Sequence, residues 1–118
     1  MDVIVDRRED VTILSVKGHL SLGADVVLRD QVLELLKTDA QLFVFDLSQV
    51  PYIDSVGLGE TVACTKRICE RGGAVRLVVE KHGKVHEILR ITGLDRAYEV
   101  FSDKQAALVG WPARPQQR

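Results

Sequence analysis

Residues 50–61 read VPYIDSVGLGET, which sets an acid and a hydroxyl, Asp54 and Ser55, directly before two glycines, Gly57 and Gly59. A helical pattern opens at the same point. A serine there could be a nucleophile, part of a phosphate cradle, a helix cap, or the acceptor of a group delivered by another protein. Nucleophilic serine needs a base within hydrogen-bond reach and a third group to orient that base. His19, His82 and His86 fall in other segments, and the GxSxG elbow is absent because Ile53 and Asp54 precede Ser55. The stretch GLGETV lacks the third glycine of a dinucleotide fingerprint and the GK[ST] of a P-loop. By residue type alone, capping is the plainest reading of Asp54 and Ser55, since both types are favoured at helix starts.

Other reactive side chains form no constellation. Cys64 and Cys69 lie on one expected helix, where their spacing separates the Cα atoms by roughly 8 to 9 Å, beyond disulfide reach. They are expected to be reduced thiols in or near the core. CTKRIC is not CxxC, so no zinc site is expected, and His82 with His86 at i, i+4 suits a surface or capping role at a helix start. Trp111 reads as a packing residue that holds the last helix. No metal and no cofactor is expected, and no catalytic residue is assigned.

These residues must be held by alternating strands and helices. VIVDR and VTILSVKG are short and rich in Val, Ile and Thr, and the polar RED between them suits a hairpin. Gly18 ends the second strand. The next segment, GADVVLRDQVLELLKT, sets Leu28, Val32, Leu35 and Leu36 on one helix face. LFVFDL is apolar nearly throughout, as a strand buried on both faces would be, and is the expected central strand.

After Pro51 the second helix carries Leu58, Val62, Thr65, Ile68 and Cys69 as its apolar stripe, until RGG with Gly72 and Gly73 stops it. AVRLVV is a further strand, and HGKVHEILRITG a third helix with Val85, Ile88 and Leu89 inward and Gly93 at its C-terminal cap. AYEVF adds a short last strand. Asp103 caps a final helix through Leu108 and Val109. The expected fold is α/β: a mixed sheet, with an N-terminal antiparallel hairpin and parallel crossover strands, covered by about four helices. Residues 1–112 form the domain, and residues 113–118 a polar tail that frays.

Bulk properties narrow the function. A chain of 118 residues, 46% hydrophobic and 28% charged, has the length and composition of one ordinary globular domain. Sixteen basic and 17 acidic residues are scattered along it for a net charge of -1, so no basic face for a phosphate backbone is expected and nucleic acid is not a partner. No apolar run reaches membrane-span length, and MDVIVDRRED lacks the features of a signal peptide, which makes the cytosol the expected compartment.

The order of segments adds a further reading. A hydrophobic strand ending in DLSQV, then YIDSVGLGET, a helix, RGGAVRLVV and VHEILRITGLDRAYEVFSD together resemble the STAS domain of anti-sigma-factor antagonists, over residues 3–103. The resemblance implies a small regulatory protein with no catalysis of its own. In that family the Ser or Thr after the motif aspartate is phosphorylated by a partner that is both an anti-sigma factor and a serine kinase. The unphosphorylated antagonist binds that partner and displaces the sigma factor. By position the acceptor here is Ser55, and the implied partner-binding residues are Asp54, Ser55, Val56, Gly57, Gly59 and Ser21. Two positions depart from the common pattern: Val56 stands where many members have a second hydroxyl, and Ser21 where many have an aspartate.

Such a switch is physically sound at a helix start, where free N–H groups and the dipole tolerate an added anion. A phosphoryl group adds about -1.5 to -2 charges, and burying them at an interface without a cation costs several kcal/mol. Gly57 and Gly59 would let a partner's backbone approach the Ser55 hydroxyl, or would serve local turn geometry. Leu58 is expected in the core by its helix phase. The same fold could instead serve as a cytosolic STAS subunit of a transporter or a stress-sensing complex, without a phospho-switch. An enzyme or nucleotide-binding protein would need polar groups converging in a pocket, and the sequence offers no cluster at fixed spacing to build one.

Overall fold

A computed structural model describes residues 1–111. Val-, Ile- and Thr-rich segments form β1 (Asp2–Arg8) and β2 (Val11–Lys17), which pair antiparallel from Asp2–Lys17 to Arg8–Val11. The chain then alternates: α1 (Ala24–Leu35), β3 (Leu42–Gln49), α2 (Ser55–Glu70), β4 (Ala74–Val78), α3 (Lys84–Thr92), a 3-10 turn (Leu94–Arg96), β5 (Glu99–Phe101) and α4 (Lys104–Leu108). The five strands lie in sequence order, with β2 to β5 all parallel. The mixed α/β sheet is as the sequence implied, and β3 is its middle strand. The tail, and with it the expected boundary at residue 112, falls outside the described residues.

Strand alternation gives the two faces of the sheet different partners. Leu14 and Val16 of β2, Phe43, Phe45 and Leu47 of β3, and Val75 and Leu77 of β4 face the large core, which takes in Leu28, Val32, Cys64, Ile68, Val85 and Leu89 from α1, α2 and α3. The opposite face, with Val11, Ile13, Val44 and Val78, is covered by the short α4 through Ala107, with Leu108 and Trp111 alongside. The three long helices therefore lie on one face. Trp111 packs as expected: the Arg76 guanidinium stacks 4.1 Å from its ring centroid and donates to the Ala107 and Val109 carbonyls at 3.0 and 2.8 Å. Asp103 caps α4 by accepting from the Ala106 N–H at 2.8 Å, but the helix ends at Leu108 and leaves Val109 exposed.

The expected stripe of α2 holds at Ile68 and at Leu58, which packs against the core, and needs correction elsewhere. Its buried residues are Gly57, Glu60, Thr61, Cys64 and Ile68, while Leu58 and Thr65 are half-buried and Val62 and Cys69 are exposed. Close packing of the first turn sets this phase. A Cβ on Gly57 would collide with the Leu20 carbonyl oxygen, so this side of the helix approaches the chain more tightly than a stripe of large apolar residues could. Of the two thiols, only Cys64 belongs to the core.

Candidate functional site

Two loops build the surroundings of Ser55. Gly18, at φ 104°, turns the chain out of β2, and Leu20 then forms an isolated parallel bridge with Ile53. The Leu20 N–H donates to the Tyr52 carbonyl at 3.0 Å, and the Asp54 N–H donates to the Leu20 carbonyl at 3.3 Å. Ser21 closes the other side of this loop, its carbonyl accepting from the N–H groups of Ala24 and Asp25 at the start of α1. Asp25 brings an acid to the same loop, and its carboxylate accepts from the Gly23 N–H at 2.8 Å.

Asp54 joins the two loops. It is extended, at φ -103° and ψ -177°, and is the N-cap of α2. One carboxylate oxygen accepts from the Gly57 N–H at 2.8 Å and the other from the Leu22 N–H at 3.0 Å. These backbone donors, Gly57 foremost and then Leu22 and Val56, hold its carboxyl below the usual aspartate range. A fixed negative charge therefore stands beside Ser55.

Ser55 is the first helical residue, not the cap, and its side chain is exposed. Among the described residues no hydrogen bond engages its hydroxyl. The capping role suggested for the pair thus belongs to Asp54 alone. Around Ser55 the surface is apolar: Leu22 is 78% exposed, Val56 38%, and Tyr52 half-exposed. Gly59 faces open space, whereas Gly57 is buried and its missing side chain serves the internal contact with Leu20.

Leu22, Tyr52 and His19 are not singled out by sequence reasoning. His19 packs edge-on against Tyr52, with ring centroids 5.6 Å apart, which draws it into the same loop cluster. No periodicity marks these residues, because a contact between loops 32 positions apart brings Leu22 to Asp54.

Cys64 and the histidine pair are engaged in structure, whereas the Cys69 thiol is exposed. Burial, with the Glu60 carboxylate as a second cause, pushes the Cys64 thiol up to about 12 and leaves it protonated. His86 accepts the His82 backbone N–H at 2.9 Å, so the pair serves the turn before α3. No cluster of metal-ligating side chains forms among the described residues. A cleft of about 410 Å3 opens beside α3 between Leu47, Pro51, Glu80, His82, Lys84 and Glu87, and Ser55 does not line it.

Known proteins share the sequence pattern and fold of this chain. The profile of the STAS domain matches residues 2–107. The anti-sigma-F factor antagonist RsfB of Mycobacterium tuberculosis is 30% identical over 109 residues, 92% of this chain and 87% of RsfB. The crystal structure of a candidate anti-sigma factor antagonist from Thermotoga maritima superposes with a TM-score of 0.83 at 28% identity, covering 91% of this chain and 92% of that one. SpoIIAA of Bacillus, in its phosphorylated form, shares the fold with a TM-score of 0.68 at 13% identity, over 90% of this chain and 96% of SpoIIAA.

Proposed function

Because this chain belongs to the STAS domain family of anti-sigma factor antagonists, we propose that it binds an anti-sigma factor with serine kinase activity and is released by phosphorylation of Ser55. The observation that supports this most directly is the Ser55 hydroxyl, exposed and without a hydrogen bond among the described residues, on a helix turn already capped by its neighbour. A capping serine would have to give up its hydrogen bond to be modified. Ser55 gives up none.

In the unphosphorylated state, Leu22, Tyr52, Val56 and the open position at Gly59 offer an apolar contact that a partner can desolvate cheaply, with Ser21 and Asp54 at its margin. Modification forms a bond from the Ser55 Oγ to the γ-phosphorus of ATP and breaks the bond to ADP. The hydroxyl proton goes to a base on the kinase, since this chain lends none. The product then carries the phosphate beside the Asp54 carboxylate. The first turn of α2 tolerates the added charge through its dipole, whereas a partner would have to bury two adjacent anionic groups. The protein itself is a binding module without catalysis, acting in the cytoplasm where sigma factors meet RNA polymerase.

Thermal midpoint and dissociation constant, measured together for Ser55→Asp against wild type, test this reading. The midpoint stays within a few degrees, because no hydrogen bond is lost, while the constant for the cognate anti-sigma kinase rises at least about tenfold. Ser55→Ala takes up no phosphate by mass spectrometry and still binds. An Asp variant that binds as wild type does would refute the switch, and phosphate on the Ala variant would place the acceptor elsewhere.

A further inference from the structure

The sheet ends in two unlike edges. β5 is three residues long, too short to template a partner, whereas β1 offers seven residues at the other edge. Among the described residues, the backbone groups of β1 bond only to β2. All of β1 except Val3 is exposed, and it shows two large apolar side chains to solvent, Ile4 at 49% and Val5 at 39%. Charged residues on such an edge usually discourage pairing with another chain. Here their order permits one pairing.

Directly opposed residues of an antiparallel pair must point to the same face of the sheet. Two copies of β1 related by a twofold axis normal to the sheet can therefore pair only about a central residue, and within Asp2–Arg8 only the centres Ile4, Val5 and Asp6 oppose more than three residues. Centred on Ile4, Asp2 meets Asp6 twice. Centred on Asp6, that aspartate meets itself. Centred on Val5, Asp2 of one copy meets Arg8 of the other at both ends, Ile4 lies opposite Asp6, and the two Val5 side chains meet in the middle. Like charges directly opposite are unfavourable and opposite charges favourable, so the strand's own sign pattern selects the third register. Arg8 already lies on the right face, bonded to Asp6 of its own strand at 3.2 Å.

We propose that β1 is a self-association edge, through which two copies of this chain form a continuous antiparallel sheet centred on Val5. The interface is isologous and closes at two copies. None of the residues named at the Ser55 surface belongs to β1. Each dimer thus carries two Ser55 surfaces.

Sedimentation velocity on the 118-residue chain, in low salt from about 10 μM to about 1 mM, reads the association directly and covers weak homodimers. The expected result is a concentration-dependent shift toward twice the monomer mass, weakened by added salt because the end pairs are exposed. Asp2→Arg and Arg8→Asp each place like charges at both ends and raise the dimer dissociation constant at least about tenfold, and the double variant restores it to within about threefold. Thermal melts confirm that each variant is folded. A chain that stays monomeric at the highest concentration overturns the proposal, as does a dimer indifferent to both single reversals.

Discussion

The first turn of α2 and its middle use the same kinds of side chain for opposite ends. At the start, the Asp54 carboxylate is consumed by backbone N–H groups, which leaves Ser55, Val56 and Gly59 uncovered on a fixed scaffold. Further along, the Glu60 carboxylate is 9% exposed and accepts from the Arg29 guanidinium of α1 at 3.3 Å and from that of Arg67 at 2.8 Å. The Cys64 thiol donates to the same carboxylate at 3.4 Å. A buried charge is tolerable only with such partners. The contrast shows what leaves a helix turn uncovered: rigid backbone, held by groups that are not themselves part of the exposed surface. Where side chains hold one another, as at Glu60, they join α1 to α2 and have nothing left to offer a partner.

The two glycines of the motif test the contrast most severely. Gly57→Ala drives a Cβ into the Leu20 carbonyl, and because that group is bonded backbone it cannot move aside, so we expect a loss of about 2 to 3 kcal/mol in denaturant unfolding. Gly59→Ala meets nothing within 4 Å and is expected to raise stability by about 0.5 to 1 kcal/mol through helix propensity, while weakening partner binding. Equal effects at the two positions would erase the distinction between internal and external use.

The joint in the middle of the helix should be less sensitive. Glu60→Gln keeps the shape and removes the negative charge that pairs with both arginines, each about one-third exposed, so water replaces much of what is lost and the cost is about 1 kcal/mol. The proposed phosphorylation of Ser55 should proceed normally in that variant.

Acid should loosen the first turn. The Asp54 carboxyl titrates below its unfolded value of about 3.9, so its contribution is complete at higher pH and disappears as pH falls from about 4 through the lower folded value. The gap in thermal midpoint between wild type and Asp54→Asn is therefore expected at pH 6 and should close toward pH 2. A gap that widens on acidification would reverse the assignment of Asp54 as an ionised cap.

The smallest effect concerns the thiols of the same helix. An aromatic disulfide reagent should modify the exposed Cys69 in the native protein and reach Cys64 only on unfolding, with one thiol per chain released before denaturant and two after. Two fast thiols would mean that the Glu60 joint opens readily.

Several elements are legible in the amino-acid sequence because their signals are local. The apolar run of β3 announces a strand covered on both faces, and Phe43 and Phe45 are fully buried there. Gly93 at φ 78° and Asp103 with its N–H donor are where chain-local capping rules put them. The phase of α2 is less legible: hydrophobicity points to Val62 and Cys69, whereas the helix packs through Gly57, Thr61 and Cys64. Small residues bury through close approach, and a hydrophobic stripe does not reveal closeness.

The motif around Ser55 divides in the same way. Residue types and order alone determined that an acid, a hydroxyl and two glycines would meet at a helix start beside the central strand, because strand, turn and helix signals act over a few residues. Tertiary structure decided which of them does what. Asp54 caps the helix through the nearby Gly57 N–H and with its other oxygen also holds Leu22, 32 positions away in the chain, while the Ser55 hydroxyl takes no hydrogen bond among the described residues. Gly57 faces inward and Gly59 outward because Leu20 crosses the helix on one side only. Leu22 and Tyr52 join the surface through the Leu20–Ile53 bridge. Such contacts depend on where two loops cross in space, and no short-range preference of the chain encodes that crossing.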